Sequence, residues 1–125
     1  MIAEPHTKSK NLVQEKSFEF AVSIVKYYKQ LKTQSEFAIA NQLLRSGTSV
    51  GANIEEALGG SSKKDFINKM TIALKEARES KYWLRLIYES GIDKNVAPLL
   101  TEANSLVNIL SKIVKTSKDD SKKTE

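Results

Sequence analysis

Apolar residues return at steps of three and four along most of the chain, and polar punctuation divides the pattern into four stretches. In the first, Phe18, Ala21, Val22, Val25 and Tyr28 recur at helical spacing, with Ile24 and Leu31 beside them. This is the period of an amphipathic helix. It predicts a helix from about Asn11, a suitable N-cap, to Lys32. Lys26, Lys29 and Lys32 then complement the negative end of the helix dipole. Thr33, Gln34 and Ser35 read as a short turn, with Ser35 capping a second helix that begins at Glu36.

In the second stretch Phe37, Ala40, Leu44, Gly47, Gly51, Ile54 and Leu58 alternate steps of three and four, a heptad seam, with Leu43 and Val50 on its flank. An interior glycine costs about 1 kcal/mol relative to alanine, so Gly47 and Gly51 require an offset. Close approach of another helix is the simplest one. The Ser46-Gly47-Thr48-Ser49 cluster argues for a break, and the uninterrupted seam for one continuous helix. We expect the continuous helix; whether it bends at the glycines stays open at this point.

Gly59-Gly60-Ser61-Ser62 is the clearest punctuation, a helix end, a loop and an N-cap. The third helix follows, its seam formed by Phe66, Met70, Ala73, Ala77, Ser80, Leu84 and Ile87, and Ser90-Gly91 ends it. A fourth begins after Asp93, with Pro98 tolerable in its first turn. Leu99, Ala103, Leu106, Leu110 and Ile113 carry its seam, with Leu100, Val107 and Val114 adjacent. Four such helices joined by short turns predict an all-α, antiparallel up-down-up-down four-helix bundle over residues 11–115. Polar segments at 1–10 and 116–125 read as a disordered lead and tail.

Composition narrows the chemistry. The 125 residues include no cysteine and one histidine, His6. Disulfides, cysteine-type zinc sites and Ser-His-Asp or Cys-His catalysis therefore lack material. The paired carboxylates Glu55/Glu56 and Glu76/Glu79 raise the idea of a di-metal bundle, but that design needs Glu-x-x-His motifs, and the chain has none. No phosphate-cradling glycine pattern is present, and Gly59-Gly60 reads as a turn. We expect no metal, no cofactor, no small-molecule substrate and no enzymatic activity. No apolar run reaches the ~18 residues of a membrane span, and the N-terminus lacks the apolar core of a signal peptide. A soluble cytoplasmic protein without membrane contact is the expectation. The net charge of +5 permits nucleic-acid contact without demanding it.

Two faces of the third helix stand apart from its seam. Ile72, Trp83 and Leu86 form a second apolar stripe with Glu76 and Glu79 among them. It suits an interface with another subunit, whose basic groups would meet the carboxylates; alternatively Trp83 flanks the core of its own chain. Lys75, Arg78, Lys81 and Arg85, with Tyr82 among them, occupy the remaining side. Cations around one aromatic can hold phosphates and stack a base; alternatively they form a solvated face with pairs such as Lys75–Glu79 and Arg85–Glu89. Repetition of the stripe in an oligomer would favour nucleic-acid binding. On the second helix, Arg45, Ser49, Asn53 and Glu56 form a polar ladder, facing either a neighbouring helix or solvent.

The run Ser49-Val50-Gly51-Ala52-Asn53-Ile54-Glu55-Glu56, taken with Phe66 to Leu86, resembles the bacterial 23S rRNA intervening-sequence proteins over roughly residues 12–114. Ser49, Asn53, Ile54 and Glu56 carry the signature, and the Lys75-Glu76-Ala77-Arg78-Glu79 rhythm falls where that family has it. Gly51 departs from a common proline and Ala57 from a common glycine. The resemblance implies a four-helix bundle assembled as a homopentamer. It also implies kinship with the accessory protein of diversity-generating retroelements, a basic bundle thought to bind nucleic acid and a reverse transcriptase. The expected function is therefore a non-enzymatic oligomeric bundle that binds RNA or DNA through the basic face of the third helix. A scaffold for a protein partner, with no nucleic-acid role, is the alternative.

Overall fold

The computed structural model describes residues 8–123, with side chains from 12 to 122. Four helices account for nearly all of it: α1 (Lys8–Thr33), α2 (Phe37–Leu58), α3 (Lys63–Glu89) and α4 (Ala97–Lys123), with a 3-10 turn at Lys94–Val96 leading into α4. The helices form a four-helix bundle. α2 packs between α1 and α3, α4 packs against α3 and more loosely against α1, and α1 and α3 lie on the diagonal. Contacts pair early positions of one helix with late positions of the next. Gln14 meets Glu55, Ile24 meets Gly47, and Arg45 and Glu56 meet Glu76 and Lys69. Such pairing is that of antiparallel neighbours.

Core positions follow heptad rows in every helix. On α3 the buried residues are Met70, Ala73, Ala77, Ser80, Leu84 and Ile87, the expected seam, joined by Leu74, with Phe66 half-buried at its start. On α2 the helix runs unbroken through both glycines. Its buried row is Ala40, Leu43, Ser46, Gly47, Val50, Ile54 and Ala57. The seam thus centres one position away from the expected one: Leu43 and Val50 are core, while Leu44 and Leu58 only flank it and Phe37 is exposed. On α4, Ala103, Leu106, Leu110 and Val114 are buried, with Ile113 beside them.

α1 departs furthest from expectation. Its buried row is Val13, Ser17, Phe20, Ile24, Tyr27 and Leu31. Phe18, the first residue of the expected seam, is 65% exposed, and Val22 and Val25 are exposed with it. The helix therefore has two apolar stripes, and the bundle uses one.

Helix ends follow local chemistry. α1 begins at Lys8, so Asn11 lies inside the helix rather than capping it; residues 1–7, including His6, lie outside the described residues. Ser35 does not cap α2, which follows Glu36 and has no side-chain cap. Instead Ser35 ends α1 with φ 62°. The Glu36 amide bonds Leu31 O and the Ser35 amide bonds Lys32 O, the paired bonds of a Schellman motif. Ser62 caps α3, its hydroxyl accepting from the Asp65 amide. Where the sequence pattern ends the ordered domain at residue 115, α4 continues to Lys123. Because a left-handed serine carries a Cβ penalty, Ser35→Gly is expected to raise stability by about 1 kcal/mol, read as an upward shift of the urea midpoint.

Gly47 and Gly51 are not equivalent. A Cβ at Gly47 would lie 2.9 Å from both Cγ1 and Cγ2 of Ile24 on α1, whereas one at Gly51 would meet Ser17 O at 3.4 Å. The close helix approach expected from the sequence is thus centred on Gly47.

At the end of the bundle, the Tyr27 hydroxyl donates to Asp93 Oδ2 at 3.0 Å and ties α1 to the turn before α4. Burial, then the hydrogen bond to Asp93 and its negative charge, push the tyrosine pKa upward. A raised folded-state pKa means stability fully present below the usual tyrosine value of about 10 and lost as pH rises through and beyond it. Urea unfolding at pH 8 and pH 10.5 should therefore show an alkaline loss that Tyr27→Phe reduces; an equal loss in both proteins would contradict this.

Candidate nucleic-acid interface

Amphipathic patterning sets α3 into the bundle along its Met70–Ile87 row and leaves its other faces outward. Of the expected basic stripe, Lys75, Arg78, Tyr82 and Arg85 are exposed and Lys81 is half-buried. No carboxylate lies within ion-pair distance of Lys75, Arg78, Lys81 or Arg85 among the described residues, and neither Lys75–Glu79 nor Arg85–Glu89 forms. Tyr82 is 58% exposed. Its ring packs edge-on to Trp83, with centroids 5.1 Å apart and planes at 72°, which holds the phenol in place and leaves it open to a stacking partner.

For Lys75 the cause lies across the helix boundary, where its i+4 neighbour Glu79 is held by Arg45. Arg45 of α2 binds Glu76 at 3.0 Å and also Glu79, so both of these α3 carboxylates turn toward α2. Glu79 Oε2 additionally accepts from Trp83 Nε1 at 3.0 Å. Glu76 and Glu79, expected to meet a neighbouring subunit, thus already have a cation within their own chain. Trp83 is half-buried against the core, so a single protomer shields much of the indole. Ile72 and Leu86 remain exposed. Sequence spacing gave no sign of the Arg45 link, because its partners lie 31 and 34 residues away, on the next helix.

The polar ladder of α2 divides. Arg45 and Glu56 reach α3, Glu56 through Lys69 at 3.8 Å. Ser49 and Asn53 fold back on their own helix, to Arg45 O at 2.7 Å and Ser49 O at 2.8 Å. Ile54 is core. Between Arg45 and Glu56, the buried Ser46 and Ser80 hydroxyls lie 3.0 Å apart, and Ser80 Oγ bonds Glu76 O at 2.9 Å. One proton from each hydroxyl completes that chain, so the α2–α3 seam buries two serines without an orphaned group. Of the signature residues, Glu56 reaches α3 and Ile54 joins the core, while Ser49 and Asn53 bond within α2.

Among the described residues, no cluster of three or more histidine, cysteine, aspartate or glutamate side chains is placed to hold a metal ion, and no helix is long and apolar enough to cross a membrane.

Comparison with known proteins fits this architecture. No curated protein matches the sequence. A crystal structure of a protein with unknown function from the S23 ribosomal protein family of Bacteroides thetaiotaomicron is similar throughout. The TM-score is 0.81 and the identity 44%, over 86% of this chain and 98% of that one. Residues 9–114 match the family described as 23S rRNA-intervening sequence protein, and the chain belongs to that family.

Proposed function

We propose that this protein is a non-enzymatic, oligomeric accessory protein of the bacterial cytoplasm that binds RNA or DNA through the basic face of α3. The observation that carries the reading is the division of charge on that helix. Arg45 occupies Glu76 and Glu79, while Lys75, Arg78, Lys81 and Arg85 keep no carboxylate partner among the described residues. Unpaired cations are free to exchange small counterions for phosphates, and that release drives association. The exposed Tyr82 ring adds a stacking surface for an unpaired base. Assembly, a homopentamer as the family likeness implies, repeats the stripe and multiplies the contacts. The exposed Ile72 and Leu86, with Trp83 between them, supply the subunit contact on α3.

Filter binding of single-stranded RNA and DNA over a salt series tests the reading. Affinity should fall linearly on a log–log plot as salt rises; no binding at low salt rejects it. Assembly has its own test. Leu86→Lys is expected to lower the mass found by light scattering without moving the unfolding midpoint. Trp83→Ala should lower both, because Trp83 also packs on the core. An unchanged mass in both variants would remove α3 from the interface.

A further inference from the structure

We infer that Arg45 is a positioning residue for the basic face of α3: by anchoring Glu79 it keeps Lys75 open to phosphate and, through Trp83, braces Tyr82. The inference rests on the nucleic-acid reading proposed above and adds to it a residue of another helix.

Glu79 stands at the border between two sides of α3. Lys75 and Tyr82 lie exposed on one side of it, Glu76 and Trp83 half-buried on the other. It comes four residues after Lys75 and four before Trp83, so its carboxylate can reach either. Arg45 decides which way it turns. The guanidinium presents its two outer nitrogens to two carboxylates: Nη1 donates to Glu76 Oε2 at 3.0 Å, and Nη2 donates to Glu79 Oε2. The same Glu79 oxygen accepts from Trp83 Nε1 at 3.0 Å. Held by both donors, it makes no ion pair with Lys75. Trp83 in turn meets the Tyr82 ring edge-on, with centroids 5.1 Å apart. One chain of contacts therefore runs from Arg45 through Glu79 and Trp83 to Tyr82. The cation and the stacking ring of the proposed face both depend on it.

The planar fork of an arginine suits this task, because it serves two carboxylates at once and keeps its charge. The two carboxylates are not equal partners. The Glu76 side chain is 14% exposed and that of Glu79 31%. Glu76 also has no lysine or arginine three or four residues away on its own helix, whereas Glu79 has Lys75. Loss of Arg45 thus frees Glu79 to swing to Lys75. That swing neutralises the cation and takes the indole's acceptor away.

The test compares two double variants of equal net charge. Arg45→Met should lower the affinity for a single-stranded oligonucleotide by up to about tenfold, the worth of one charge-assisted contact. The salt slope should flatten by up to about one. Adding Glu79→Gln should restore both, because a neutral amide leaves Lys75 free. Adding Glu76→Gln restores the same net charge and should not. Equal recovery in the two double variants, or no loss in Arg45→Met, overturns the positioning role and leaves the nucleic-acid reading standing. Should Arg45→Met fail to fold, Glu79→Gln alone decides. With Arg45 and Glu76 still paired, the salt slope should stay as it is; a steeper slope would show that Glu79 already burdens Lys75. Trp83 is the chain's one tryptophan, so acrylamide quenching of its emission reads the brace directly. Quenching should rise in Arg45→Met, and unchanged quenching overturns the link to Tyr82. A wild type that binds no nucleic acid at low salt removes the nucleic-acid reading and this inference with it.

Discussion

Simultaneous replacement of Lys75, Arg78 and Arg85 by alanine is expected to reduce nucleic-acid affinity by about tenfold or more per residue, given the worth of a charge-assisted contact. The slope of log affinity against log salt should fall by roughly one per residue removed. The fold should be unaffected, because all three side chains are exposed and none contacts a carboxylate. The thermal midpoint is therefore the control. Unchanged affinity with an unchanged midpoint would show that α3 is not the binding surface. Tyr82→Ala separates stacking from charge. It should weaken single-strand binding while leaving the salt slope as it was.

The second large effect concerns stability. Gly47→Ala gains about 1 kcal/mol of helix propensity but forces a Cβ to 2.9 Å from two carbons close to the Ile24 backbone. Neither carbon is the far end of a flexible chain, so α1 must move. Overpacking of this kind costs about 1–3 kcal/mol, and a net loss is expected in urea unfolding. At Gly51 the new methyl fits at ordinary contact distance from Ser17, so Gly51→Ala should be neutral or stabilising by up to about 1 kcal/mol. Combining Gly47→Ala with Ile24→Ala should cost less than the sum of the two single changes, because the shortened partner leaves room. Equal effects at the two glycines would contradict the asymmetric packing.

These contrasts show what the sequence could and could not disclose. On the third helix the expected row is the buried one, joined by Leu74, because the rival stripe of Ile72, Trp83 and Leu86 is shorter and interrupted by carboxylates. On α1 two rows share the same spacing, and periodicity cannot say which one faces inward. The choice falls to Ile24, which fills the space over Gly47, and Tyr27, which reaches Asp93. On α2 the expected seam was off by one position for a similar reason: leucines at 43 and 44 both satisfy a broad apolar face. The α4 extension carries no apolar row, but its lysines and aspartates are compatible with helix, and composition alone favoured disorder. As for the site, the basic stripe and the aromatic beside it could be listed from the sequence. That its cations lack carboxylate partners could not: Arg45, on another helix, takes Glu79 from Lys75, and the spacing of Arg85 and Glu89 gives no sign that they stay apart. The second apolar stripe of α1 was hidden for the reason its helix was misread: its residues look like core.

Native mass spectrometry of the purified protein with a defined single-stranded oligonucleotide, sprayed from solutions of rising ammonium acetate concentration, tests the account most directly. The account predicts a discrete multiple of the chain mass that carries the oligonucleotide at low salt and releases it as salt rises. A monomer without oligonucleotide at every salt concentration would contradict it.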